Sequence, residues 1–398
     1  MYEYMKKNTS KITFHAIVLL SVASFFIQSC RKDRVPIPSE IEDVIDTVIT
    51  KPEDSIGKPE ATSPKGFYLL NEGNMNSNKS SLDYIDFLTG KYHRNIYNAI
   101  NPEITKGLGD VGNDIGIYGS KLYAVINNSN KVEVLDAKTG KRLSQIDILN
   151  CRYIIFDGGK AYVSAYLGTI GDPKAPNGIV AEIDTTTLSI TRKVEVGRQP
   201  EEMAIVGNKL YVANSGGYSP PDYESTVSVI DLSSLKESYR IEVAPNLHRL
   251  KADKYGDLYV TSRGDYYDIP SRIFVIDTKT DNIKKRFDIA ASQLIIQDDL
   301  AYIYSTEFSY VTGENIISYN MIDVNTETVL KRSFITDGTE KKIKIPYGIA
   351  VNPVTKDVYV TDARDYVSPG TVYCFNPEGV FKWSATTGDI PAHFAFVY

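Results

Sequence analysis

The sequence predicts an all-β protein, a seven-bladed β-propeller with four antiparallel strands per blade and a C-terminal strand closing the first blade. Two recurrences and one feature of the termini carry that expectation. A strand-like unit with a central tyrosine, "KLYVAN" around Tyr211, returns as "GFYLLN", "KLYAVI", "KAYVSA", "DLYVTS", "LAYIYS" and "DVYVTD". These copies place Tyr68, Tyr123, Tyr162, Tyr259, Tyr302 and Tyr359 at the same point of each unit. A second unit, "SVID", returns as "YIDFLTG", "VLDAKTG", "EIDTTTL", "VIDTKTD", "MIDVNTE" and "CFNPEG". It sets Asp86, Asp136, Asp184, Asp231, Asp277, Asp323 and Asn376 at spacings of 50, 48, 47, 46, 46 and 53 residues. Four strand-like segments per copy at such a period are those of a propeller blade.

The closing strand is read from the ends of the repeat. The segment "IPAHFAFVY" matches the blade-opening strands "QPEEMAIVG" and "IPYGIAVNP", whereas the first copy, beginning "GFYLLN", lacks such a strand. The C-terminal segment is therefore expected to pair inside blade 1, removing both free sheet edges. A solenoid of the same unit would need polar caps at both ends.

Ahead of the repeats, "MYEYMKK" supplies basic residues, "ITFHAIVLLSVASFF" an apolar core and "IQSC" small residues before Cys30. Residues 1–30 read as a lipoprotein signal peptide, with Cys30 as the lipidated residue that tethers the chain to a membrane. The apolar run is short for a bilayer span of ~20 residues. Residues 31–65, rich in Pro, Glu and Asp, read as a flexible linker in which "IEDVIDTVI" has the pattern of a transient strand or helical turn. The propeller then occupies residues 66–398.

Composition bounds the function. The 398 residues carry a formal charge of −6 with no basic stripe, which argues against nucleic acid as a partner. Tyrosine is abundant, 28 against 14 Phe and one Trp, and it offers flat apolar area with a polar tip. Cys151 and Cys374 have no CxxC spacing and define no metal site.

Within a blade the turn after the third strand carries Asp and Thr, which bond the backbone of a tight turn. Strand alternation puts the loop from second to third strand on the same face as the connection to the next blade. These loops are "NEGNMNSNKSS", "INNSN", "AYLGTIGDPKAPNG", "NSGGYSPPDYES", "SRGDYYDIPS", "STEFSYVTGEN" and "DARDYVSPG". All but the second are long. They present Tyr166, Tyr218, Tyr223, Tyr266, Tyr267, Phe308, Tyr310, Tyr366 and Arg263, against short turns on the opposite face. Long loops on a rigid scaffold are where recognition is placed, although each ring also has the plainer role of packing its own loop.

A second set comes from aligning the blade-opening strands. Asp114, Tyr153, Glu202, His248, Gln293, Gly348 and His393 share one position, with Asn113, Arg152, Glu201, Leu247, Ser292, Tyr347 and Ala392 just outside it. Such residues either line the channel mouth or bond the backbone of a neighbouring blade. Arg152, Glu202, His248 and His393 join the loop residues as candidate ligand contacts.

No catalytic constellation accompanies them. His15 lies in the signal segment and His93 in an outer strand, while His248 and His393 fall in blades that are not neighbours. HExxH, GxSxG, P-loop and CxxC motifs do not occur, and Glu201 and Glu202 alternate across their strand. The expectation is a binding protein without enzymatic activity, catalytic cofactor or metal.

The repeat "KLYVANSGGY…STVSVIDLSSL" is similar to that of YVTN or YncE-like propellers. The stretches "NEGNMNSNKSSLDYIDFLTGKYHRNIY", "LGDVGNDIGIYGSKLYAVIN", "SRGDYYD" and "VYVTDARDYVSPGTVYCFNPEG" resemble Bacteroidetes surface lipoproteins of the BtuG type. That resemblance, across residues 66–398, implies capture of cobalamin (vitamin B12) or a related corrinoid on one propeller face. It also implies transfer to an outer-membrane TonB-dependent transporter of the BtuB kind, at the cell surface. Surface-exported lipoproteins of that phylum often carry an acidic run after the lipidated cysteine, where this chain has "RKDR". A corrinoid, flat and apolar with an amide fringe, suits tyrosine rings flanked by Asn, Arg and Gln. The alternative is a propeller that binds a protein or a glycan. A concave centre separates the first reading from the flat face expected for the second.

Overall fold

Seven sheets form, one per repeat, in the computed structural model of the chain, which describes residues 45–47, 49–50, 63–168, 172, 174–309 and 314–398. Cys30, the expected signal peptide and Tyr310 lie outside these residues. Blade 4 illustrates the plan, with Pro200–Val206 innermost, then Lys209–Asn214, Thr226–Asp231 and Lys236–Glu242, all antiparallel. Blade 1 takes its innermost strand from the other end of the chain. Pro391–Val397 pairs with Gly66–Asn71, Phe396 opposite Phe67 and Ala395 opposite Tyr68, as the terminal segments predict.

Within "IEDVIDTVI" the described residues, Ile45–Thr47 and Ile49, are strand. Ile45–Thr47 pairs with Lys91–His93 on the outer edge of blade 1, and Ile49–Thr50 pairs with Phe381–Asp389 on the outer edge of blade 7. The expected linker thus includes two short strands that cover the outer sheet edges of blades 1 and 7.

The repeat residues are structural. Tyr123, Tyr211 and Tyr259 are fully buried and pack between their own blade and the next. Their hydroxyls need partners there. Tyr68 donates to the Ala137 carbonyl at 3.0 Å, Tyr259 to that of Val324 at 3.4 Å and Tyr211 to the Asp281 carboxylate at 3.2 Å, each in the following blade. Each such ring contributes on the order of 2 kcal/mol of apolar burial, and the tips of Tyr68, Tyr211 and Tyr259 also tie adjacent blades, whereas the buried Tyr123 hydroxyl has no hydrogen-bond partner among the described residues. The Asp unit caps its turn as its chemistry predicts: Asp136 accepts from the Thr139 N–H, Asp231 from Ser234 and Asp323 from Thr326, each at 2.8 Å.

One loop differs from expectation. In blade 6 the strands run on into both ends of "STEFSYVTGEN", as Leu300–Ser309 and Glu314–Asp323, because Ser305, Thr306 and Ile317 keep the ladder in register.

Candidate functional site

The opening strand of a blade carries an irregularity in all but one of the seven blades. Its register shifts between Cys151 and Ile154, between Pro200 and Met203, between Leu247 and Leu250, and between Pro346 and Ile349. A bulge leaves an N–H off the ladder and turns consecutive side chains away from the regular pleat. These bulges fall on the aligned polar positions. The acid of one blade then takes the stray N–H of the next: Asp114 accepts from Ile154, and Glu202 from Leu250, each at 2.9 Å.

Above the bulges, a cavity of about 710 Å³ opens on the face that carries the long loops. Tyr266, Tyr267, Ile269 and Tyr366 form its rim, and Arg263, His248, Arg249, Tyr304, Tyr347, Glu72 and His393 line its interior. Six sequence-derived candidates therefore meet at one opening: Tyr266, Tyr267, Tyr366, Arg263, His248 and His393. Tyr267 is 87% exposed and Tyr266 55%, so both rings reach solvent on the rim.

Tyr166, Tyr218 and Tyr223 sit beside the opening and support its wall. Tyr218 packs edge-on against Tyr166 at 6.2 Å, and Tyr223 against Tyr266 at 6.5 Å. Arg152 lies beneath, 4.9 Å over the Tyr166 ring, and donates to Glu201 at 2.9 Å and to Asn113. Its role is to hold the wall, as no part of it lines the cavity. Glu202 faces a second cavity of about 480 Å³ further down the channel, where Lys251 pairs with it at 2.6 Å. Neither arrangement was legible from the aligned position, since the bulge decides to which side each residue turns.

Three residues that the sequence did not single out, Tyr304, Glu72 and Arg249, complete the interior. Tyr304 sits on the second strand of blade 6 and donates to the Tyr347 carbonyl. Tyr347 donates to Glu72 at 2.7 Å, and the other Glu72 oxygen lies 3.4 Å from His393 Nε2. Arg249, 8% exposed, donates to the Tyr153 hydroxyl at 3.0 Å, and that hydroxyl also lies 3.2 Å from His248 Nε2. Arg249, Ala392 and His393 line both cavities and so form the floor between them. At blade 7 the aligned position is Gly348, where a Cβ would stand 2.3 Å from the Ala392 carbonyl oxygen of the closing strand.

Charge is arranged tightly around this floor. Burial holds the His248 imidazole well below its usual range, and Arg263, Arg249 and Arg152 reinforce the effect. Burial pushes the Tyr153 hydroxyl up to about 12. Glu201 is lowered despite its burial, because Arg152 and Arg263 outweigh the loss of solvent. No cluster of three or more His, Cys, Asp or Glu side chains suited to a metal ion occurs among the described residues.

Solved structures similar to this chain are distant. A quinonprotein alcohol dehydrogenase-like protein from Bacteroides thetaiotaomicron is 16% identical over 84% of this chain and 78% of that one, with a TM-score of 0.58. A hypothetical selenium-binding protein from Sulfolobus tokodaii is 11% identical over 86% and 97%, with a TM-score of 0.59. The hydrazine synthase of Kuenenia stuttgartiensis is 17% identical over 67% and 77%, with a TM-score of 0.53. At these identities the likeness concerns the propeller fold alone. Comparison with curated proteins yields no match. A family profile described as "Domain of unknown function (DUF5074)" matches residues 65–390, nearly the whole propeller, and the chain belongs to that family.

Proposed function

We propose that the loop face captures cobalamin or a related corrinoid without chemical conversion, and that the chain, lipid-anchored through Cys30 in the outer membrane, passes it to a TonB-dependent transporter. The observation that carries this reading is the cavity at the channel mouth, concave, about 710 Å³ and rimmed by exposed tyrosines. That volume lies within the roughly 300–1,000 Å³ of small-molecule sites, and a corrinoid seated there would leave its outer edge for a second protein. The rings of Tyr266, Tyr267 and Tyr366 offer flat contact, while Arg263, Tyr347 and the Ser305 and Thr306 hydroxyls offer bonds to amides. Binding rather than catalysis is favoured because Glu201, Glu202 and Asp114 are committed to neighbouring-blade groups.

A protein-binding role finds support in the apolar rim, where Ile316 is 57% and Val367 62% exposed. Such a rim suits docking on the transporter. Calorimetric titration of cyanocobalamin into the protein carrying Cys30→Ser, with the corrinoid absorbance followed in parallel, tests the capture step. One-to-one saturable binding supports it. No heat and no spectral change at millimolar ligand would leave a protein or glycan partner as the reading.

A further inference from the structure

The cavity floor holds a buried guanidinium, that of Arg249, which no carboxylate pairs among the described residues. Around it, Arg152, Lys251 and Arg263 each reach a carboxylate, Glu201 or Glu202, and Asp114 shares the second cavity with Lys251. Lys251 takes Glu202. Glu201 is already bound by Arg152 at 2.9 Å and by the Tyr166 hydroxyl at 2.7 Å, and Arg263 reaches it only at 3.5 Å.

Arg249 has no carboxylate within ion-pair reach among the described residues. Among the described residues the one hydrogen bond of its guanidinium goes to the neutral Tyr153 hydroxyl, and its buried Nε has no partner. Beside it the buried Nδ1 of His248 is also unpartnered. The carboxylate in the cavity, Glu72, is on the opposite wall, occupied by Tyr347 and beside His393. A buried guanidinium without a counter-charge is costly, and its donor fork matches the paired oxygens of a carboxylate or phosphate.

We propose that this floor is an oxyanion subsite, in which Arg249 and Arg263, with His248 beside them, receive a carboxylate or phosphate group carried by the ligand while the tyrosines hold the remainder. It deepens the small-molecule reading above, resting on that reading only for the identity of the rest of the ligand. The neutral state of His248 keeps the floor charge on the two guanidiniums, and Arg249 stays cationic against its burial through Tyr153 and Glu202.

The test titrates sodium phosphate and sodium citrate separately into the Cys30→Ser protein at low ionic strength, by calorimetry and thermal shift, with sodium chloride as the control for screening. The same titrations are run on Arg249→Gln and Arg263→Gln, with circular dichroism melts to establish folding. Saturable binding of phosphate or citrate, weakened about tenfold or more in each folded variant, is the expected result, the size being that of one lost charge-assisted bond. The stronger of the two anions identifies the group. Arg263 is only half-buried, so its variant serves if Arg249→Gln does not fold. Absence of saturable binding by both anions, or unchanged affinity in the folded variants, overturns the proposal. Anion binding without cyanocobalamin binding would keep the subsite and remove the corrinoid. Cyanocobalamin binding that is indifferent to both substitutions and to phosphate would do the reverse.

Discussion

Tyr166 donates its hydroxyl to the Glu201 carboxylate at 2.7 Å, joining a loop of blade 3 to the opening strand of blade 4, both groups almost fully buried. Tyr166→Phe leaves that carboxylate one donor short and is expected to cost about 1–3 kcal/mol in thermal or denaturant melting. Glu201→Gln, which removes the counter-charge of Arg152, is expected to cost more, about 3–5 kcal/mol. Equal melting of both variants and the unaltered protein would show that the pair is dispensable.

The buried His248 makes stability depend on pH in a defined direction. Burial first, then Arg263, Arg249 and Arg152, lower its folded affinity for protons below that of the unfolded chain, whose imidazole titrates near ~6.5. The unfolded state therefore binds the extra proton in that window. Stability from this group is complete above about pH 6.5 and falls as pH drops, by roughly 1.4 kcal/mol per pH unit. His248→Gln should flatten the profile between about pH 5 and 6.5. An unchanged slope would place the imidazole in a solvated setting.

Tyr267 and Tyr266 separate binding from folding. Both stand exposed on the rim, so alanine substitutions are expected to shift stability by less than about 0.5 kcal/mol. Their effect on cyanocobalamin affinity is expected to be about tenfold or more, since the two rings supply flat apolar contact to the corrin edge. Full affinity in the double variant would move the contact surface off the rim.

Gly348→Ala examines the ring closure. The added methyl meets the Ala392 carbonyl at 2.3 Å, and because the obstacle is backbone, blades 7 and 1 must part. A cost of about 1–3 kcal/mol is expected. The same change at Gly207 meets open space but a φ of +59°, so it is expected to cost about 1–2 kcal/mol of backbone strain without parting any blades.

The fold was legible because the repeat states the same physics seven times. An Asp that caps its turn and a Tyr that reaches the next blade recur, and "IPAHFAFVY" matches the strands it joins. Half of the candidate contacts were legible too, because loop position alone places Tyr266, Tyr267 and Tyr366. Arg249 was not. In a regular pleat the residue after His248 points away from it, and only the shift between Leu247 and Leu250 brings both to one floor. Tyr304 escaped for a related reason, as it belongs to a strand unit whose other tyrosine, Tyr302, is core. Glu72 was hidden in a loop of small polar residues, and only its contacts with Tyr347 and His393 distinguish it.

The pairing of Gly66–Asn71 with Pro391–Val397 also sets an order of events during synthesis. At roughly 5–20 residues per second, the first strand is made some tens of seconds before its inner neighbour. Blade 1 keeps an open edge throughout that interval. The wall built from Glu72, Tyr347 and His393 is the last part of the cavity to exist, because His393 rides on the closing strand. A translation product stopped short of that strand would carry six complete blades and most of the rim tyrosines, yet lack the finished cavity. Ligand capture would then report that translation had run through the final strand.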